Sequence, residues 1–175
     1  MKLSTWVKYL IISTTIILLS ACSVSIDEMN SHAVEVMEES LEKEVKEPNE
    51  ETMNGELYVP FLMSIDQVST NNIILKQGSQ TYILFYNLHE GTDSKALYES
   101  LIKNEDELLI KQSIEKGDEF AYLVAQELGK EEVALTVGIG GMKMTTETKL
   151  KDVSSDVETM LEILRSFSPT KKEAE

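Results

Sequence analysis

The chain is short of the residues from which small exported folds and most catalytic sites are built. It has one cysteine, Cys22, in 175 residues. A single thiol excludes an intramolecular disulfide, a thiolate metal cluster and a two-cysteine redox pair, so a compact fold must rest on its apolar core. Histidine is nearly as scarce. His32 lies in a charged segment with no neighbouring ligand types, and His89 sits beside Glu90 at the end of an expected strand. Two separated histidines leave little material for a histidine-rich metal site or a histidine general base. No Gly-x-Ser-x-Gly occurs, which removes the serine-hydrolase elbow. Positive charge is the other shortage: 16 basic side chains face 31 acidic ones, a formal net of −15. Such a balance repels phosphate backbones, and no nucleic-acid partner is expected.

What the chain does have begins at its N-terminus. Lys2 and Lys8 form a positive start, residues 9–19 an apolar run, and Ser20 and Ala21 are small, the order of parts in an export signal. Residues 9–21 fall short of the roughly 20 apolar residues that a bilayer span needs, and Ser13, Thr14 and Thr15 dilute them further. A removed leader is therefore expected over residues 1–21. The four residues Leu19-Ser20-Ala21-Cys22 resemble the lipobox of bacterial lipoprotein precursors, a Leu, two small residues and a Cys, and all four positions match. The resemblance covers residues 1–22. It implies a diacylglyceryl group on the Cys22 sulfur, cleavage between Ala21 and Cys22, optional acylation of the new amine, and a protein lipid-anchored to the extracytoplasmic face of a bacterial membrane. Beyond that lipid no cofactor or metal is expected. Loss of Lys2 and Lys8 leaves 14 basic against 31 acidic side chains, a net of −17, so the mature protein is expected to stand off the membrane except through its anchor.

Residues 22–56 change character abruptly. After Cys22 they hold eleven acidic side chains against Lys43 and Lys46 and no aromatic residue, and they are expected to form a flexible or partly helical tether. Within them Ile26, Met29, Ala33, Val36, Met37, Leu41 and Val45 recur at three- and four-residue spacing, a narrow helical stripe that Ser25 and Glu28 are placed to cap. Such a helix either docks on the domain, on itself as a coiled coil or on a partner, or forms only transiently. A short isolated helix is marginal in water, which favours the transient spacer.

Residues 57–169 are expected to fold as an α+β domain, an antiparallel sheet of about five to six strands with two helices packed on one face, followed by a charged tail over residues 170–175. Ile73, Ile74 and Leu75 and then residues 81–88 form a hairpin around Gly78. A helix is predicted after Thr92, Asp93 and Ser94 with Leu97, Leu101 and Ile102 on its apolar face. Residues 108–114, 120–125 and 133–139 alternate as a three-strand meander. The final helix carries Val157, Met160, Leu161, Leu164 and Phe167 on one side, with Ser155 and Glu158 at capping-box spacing. The layout, closing on Leu164-Arg165-Ser166-Phe167, is faintly similar to small PsbP-like domains, and nothing is transferred from that likeness.

The one glycine cluster, Gly138, Gly140 and Gly141, is followed by Lys143. Gly140, Gly141 and Lys143 form a candidate ligand loop, in which backbone amides approach an anion and Lys143 neutralises it; a sheet bend is the structural alternative. Met142 and Met144 share a strand face and either offer two thioethers to a soft metal or pack in the core. The function expected from these residues is a non-enzymatic binding module that engages a protein or envelope component. The alternatives are a small envelope hydrolase using Ser, Lys or carboxylates, or a ligand-binding lipoprotein.

Overall fold

Period-two patterning and glycine turns dominate residues 64–149, and these residues fold as seven antiparallel strands. A computed structural model describes residues 26–103 and 108–170; the leader, Ala21, Cys22 and the tail over residues 171–175 lie outside the described residues. In chain order the elements are helix α1 (Ile26–Glu42), strands β1 (Glu50–Thr52), β2 (Gly55–Leu57), β3 (Ser64–Ser69), β4 (Asn72–Gln77) and β5 (Gln80–Tyr86), helix α2 (Ala96–Leu101), strands β6 (Leu108–Lys116), β7 (Glu119–Gly129), β8 (Glu132–Ile139) and β9 (Met142–Lys149), a 3-10 turn (Leu150–Asp152), helix α3 (Val153–Ser166) and strand β10 (Ser168–Pro169). Among the described residues no helix is long and apolar enough to cross a membrane.

The molecule is α+β. Its large sheet runs β3-β4-β5-β9-β8-β7-β6, two meanders joined where β5 pairs with β9. This topology gives the sheet two distinct ends. The upper end carries the turns at residues 70–71, 117–118 and 140–141, and the lower end those at 78–79 and 130–131. One face is continuous core: Leu75, Tyr82, Leu84, Met144, Leu135 and Leu123 are among the side chains buried there. Two of the strands escaped sequence reading. β3 (SIDQVS) is a polar edge strand with a bulge between Ile65 and Gln67, and β9 (MKMTTETK) puts Met144, Thr146 and Thr148 inward with no aromatic or branched aliphatic residue to mark it. The strand count is therefore seven, plus a small sheet of β1, β2 and β10.

The principal departure from expectation lies in residues 26–56. Residues 26–42 are a docked helix and not a free spacer. Met29, Ala33, Met37 and Leu41 are buried in the same core as the sheet, and α1 packs against α3 and β6. Isolated, such a helix is marginal; here its stripe covers apolar surface, and each large side chain buried contributes about 1.5–3 kcal/mol. Its last turn holds no basic residue, yet its orphan carbonyls are capped from elsewhere. Arg165 Nη1 donates to the Ser40 and Lys43 carbonyls at 2.6 and 2.7 Å, and Lys116 Nζ donates to the Leu41 carbonyl at 2.9 Å. Two cations thus sit at the negative end of the helix dipole. Residues 50–57 are also structured: Glu56 and Gly55 of β2 pair with Ser168 and Pro169 of β10, so residues 26–57 belong to the fold, which does not start near Leu57.

Helix placement differs too. The core face is covered by α3 and α1, whereas α2 lies on the opposite face, where Tyr98 packs its ring 5.4 Å from Phe120 and 5.7 Å from Tyr122. Phe120, Tyr122 and Val124 are buried but outside the main core, because alternation along β7 sends them away from Ala121, Leu123 and Ala125. Helix α3 begins earlier than its capping box suggested. The 3-10 turn leads into Val153, Asp152 takes the cap position, and Ser155 Oγ instead donates back to the Asp152 carbonyl at 2.8 Å.

If α1 is part of the fold, Met37→Ala, which empties a fully buried site, should lower the unfolding free energy by about 2–4 kcal/mol in urea. Met53→Ala, at a side chain 76% exposed, should change it by less than about 0.5 kcal/mol. Equal, small effects at both positions would mean that α1 does not dock.

Candidate functional site

The glycine cluster resolves into architecture. Gly140 and Gly141 form the two-residue turn between β8 and β9, with Ile139 opposite Met142, and Gly140 has φ +55. A two-residue hairpin with positive φ at its first central position favours glycine there. Space gives a second reason, because residues 87–94 fold over the turn. A Cβ on Gly140 would come within 2.2 Å of the Gly91 carbonyl oxygen, and one on Gly141 within 2.5 Å of Glu90 Cβ. The Gly141 and Gly140 amides are spent on the Gly91 and Phe120 carbonyls at 3.0 and 2.8 Å. What these glycines admit is the chain itself, and their amides do not face a ligand.

Lys143 points to the second face of the sheet, away from Met144. Its Nζ lies 6.0 Å from the Phe85 ring centre, and burial lowers its pKa. It does not converge with the Gly140 and Gly141 amides on a common anion site, since those amides are occupied. Met144 is fully buried and Met142 packs partly against the same core, so the two thioethers serve packing. Gly138 has a comparable role. The Tyr122 ring lies over it, and a Cβ there would come within 2.0 Å of Tyr122 Cζ. His89 donates its amide to Asn87 Oδ1 at 3.1 Å, while Glu90 accepts from Asn87 Nδ2 and Ser94 Oγ at 2.8 and 2.7 Å, which ties down the loop that crosses the upper end.

A concave site lies at the lower end. Strand β5 starts at Gln80, whereas β9 continues past its last β5 pair, Tyr82 with Thr146, to Lys149. The uncovered side of β9 leaves a cleft of about 650 Å³, rimmed by Ser79, Glu132, Glu147, Lys149 and Asp152 and walled by Ile83 and Thr145. Beneath it lies a buried polar network. Asp156, in the first turn of α3, accepts from Tyr82 Oη at 2.7 Å and from Gln80 Nε2 at 3.1 Å. Gln80 Nε2 also donates to Thr146 Oγ1 at 3.2 Å, and Thr146 Oγ1 donates to the Thr81 carbonyl at 2.8 Å. Two donors and the positive end of α3 offset the desolvation of a carboxylate that is 6% exposed. Burial, and then the bond to Asp156, raises the Tyr82 pKa. No motif signals this network, because its hydrogen-bonded partners are 65 to 76 residues apart. Its one sequence trace is Asp156 itself, a charge on the helix face shared with Val153, Val157 and Met160.

The carboxylates and hydroxyls of the cleft can hydrogen-bond a polar or cationic group. Thr146, which lines it, already donates to the Thr81 carbonyl and accepts from Gln80 Nε2. Among the described residues no three His, Cys, Asp or Glu side chains gather as a metal site. No family model matches the chain, and no curated protein matches it.

The network makes a prediction at alkaline pH. Burial raises the pKa of both Tyr82 and Tyr122 above the ordinary value of 10.0. The unfolded chain therefore releases these protons near pH 10 while the fold retains them. Stability should be full below pH 10 and fall above it, by about 1.4 kcal/mol per pH unit for each tyrosine. Tyr82→Phe should remove one share of that slope and cost about 1–3 kcal/mol at neutral pH by leaving Asp156 Oδ1 without its donor. Urea titrations between pH 7 and 11.5 measure both effects, and an unchanged slope in Tyr82→Phe would exclude this linkage.

Proposed function

We propose that the chain is the precursor of a bacterial lipoprotein, anchored through Cys22 at the extracytoplasmic face of a cell membrane, whose folded domain is a non-enzymatic binding module for a protein or envelope component. The observation that carries this reading is the sequence Leu19-Ser20-Ala21-Cys22 at the end of a signal-like apolar run, with Cys22 the sole cysteine of the chain. The two acyl chains of one thioether-linked diacylglyceryl group are near the minimum for stable attachment, so the motif by itself accounts for anchoring.

The character of the fold supports binding over catalysis. Its half-buried lysine stands apart from its cleft, each oxygen of its buried carboxylate accepts a hydrogen bond from within the fold, and its glycine turn is filled by the chain. The surface left for recognition is the open second face of the sheet beside the cleft, where Ile83 remains 42% exposed between Thr81 and Thr145. An apolar centre ringed by hydroxyls and carboxylates has the composition of an interface patch.

Mass spectrometry of the mature N-terminal peptide should show cleavage before Cys22 and a diacylglyceryl adduct on it, and Cys22→Ala should abolish both and leave the membrane fraction. An unmodified thiol in the wild type would end the lipoprotein reading. For the binding surface, Ile83→Glu and Glu147→Lys should weaken recovery of crosslinked partners about tenfold, a loss of about 1.4 kcal/mol, with unfolding curves unchanged. Full recovery from both variants would remove this sheet face as the binding site.

A further inference from the structure

We infer that the lower end of the fold rests on the lipid bilayer, with Phe61, Leu62 and Leu128 seated in its headgroup region. This inference rests on lipidation of Cys22 and adds the orientation that the fold then imposes. Helix α1 reaches the upper end at Leu41, where Lys116 caps it, and it also touches the 3-10 turn that follows β9 at the lower end. Seventeen residues of helix span about 25 Å, so its N-terminus at Ile26 lies at the lower end. Only Ser23, Val24 and Ser25 separate Ile26 from Cys22. Fully extended, that connection reaches about 14 Å, roughly half the length of an eight-residue strand. An anchored Cys22 therefore keeps the lower end at the membrane, and the long spacer that would let the domain stand off does not exist once α1 is docked.

The lower end is built for such contact. The turn between β2 and β3, closed by the Met63 amide on the Pro60 carbonyl at 2.9 Å, projects Phe61 at 96% and Leu62 at 70% exposure. It precedes Ser64, which pairs with Lys76 at the lower corner of the sheet. At the foot of β7 the register shift between Glu127 and Gly129 leaves Leu128 out of the ladder and half exposed. These side chains contribute nothing to the core, and exposed Phe and Leu are the residues that enter the headgroup and acyl boundary. Lys130, Lys149 and Lys151 lie among Glu127, Glu131, Glu132, Glu147 and Asp152 at this end, and Asp27 and Glu28 open α1, so the contact carries an acidic excess and rests on the apolar side chains and the anchor, not on charge attraction.

The test uses the scarcity of tryptophan. Trp6 is the only one and lies in the leader, so Phe61→Trp and Leu88→Trp each give a lipidated mature protein with a single reporter, the first at the lower end and the second at the upper. Both full-length variants are produced with lipidation, checked by mass at Cys22, and reconstituted in phosphatidylcholine vesicles with and without brominated acyl chains. The expected result is about twofold quenching by brominated lipid at position 61, as for a side chain seated at the acyl boundary, and none at position 88. Equal emission at the two positions with the lipid present on Cys22 would overturn the orientation and leave the lipoprotein reading standing. Absence of the lipid from Cys22 would overturn both.

Discussion

One surface dominates the energetics: the apolar face of the seven-stranded sheet, which is too wide for one helix to cover. Helix α3 packs over β8 and β9, and the flank toward β6 would lie bare without a second helix. Helix α1 supplies it, placing Met29, Ala33, Met37 and Leu41 in the same core. The two helices depend on one another. Arg165 of α3 caps the C-terminus of α1, and the α1 side chains complete the packing around α3. The flanking ion pairs, Lys43 with Glu158 and Lys46 with Glu162, are solvent-exposed and add little by comparison.

Docking of α1 changes the meaning of the N-terminal third. An acidic stretch that reads as a stalk becomes an element of the domain. The small sheet formed by β1, β2 and β10 strengthens this, since it ties residues 50–57 to the end of α3. Asn49 fixes the connection by bracketing Val59, with Nδ2 donating to the Val59 carbonyl at 2.9 Å and Oδ1 accepting from its amide at 2.7 Å. Acidity is then a property of the domain's solvent face. It favours solubility and disfavours nucleic acid, but it does not lengthen the reach of the domain.

The second face follows from a size match. Tyr122 needs a flat partner on β8, Gly138 provides it, and Tyr98 of α2 closes the stack. The segment that carries α2 must cross the upper end of the sheet to reach β6, and Gly140 and Gly141 permit the crossing by leaving no side chain in its path. Glycines that suggest a ligand loop in one dimension therefore serve chain passage in three. Among the described residues no such segment crosses the lower end, and there the mismatch between β5 and β9 leaves the cleft open.

Much of this was legible in the residues. The α+β class, the hairpin around Gly78, the β6-β7-β8 meander and the apolar side of α3 all follow from local rules of period and turn chemistry, which act over a few residues and need no partner. The strands β3 and β9 were not legible because an edge strand and a threonine-rich inner strand carry weak patterns, and register gives them their place. The stripe of α1 was visible, but its fate was not. A marginal helix is decided by whether apolar surface waits for it, and that surface is assembled from strands 70 to 100 residues away. The same holds for Asp156, Gln80 and Tyr82, whose meeting exists only after the sheet and α3 have packed. By itself the sequence determined the composition and the periodic elements of a motif-poor domain. Tertiary structure alone decided that residues 26–57 belong to the fold, which glycines are blocked and where a cleft remains, because each of these depends on contacts between segments that local chemistry does not connect.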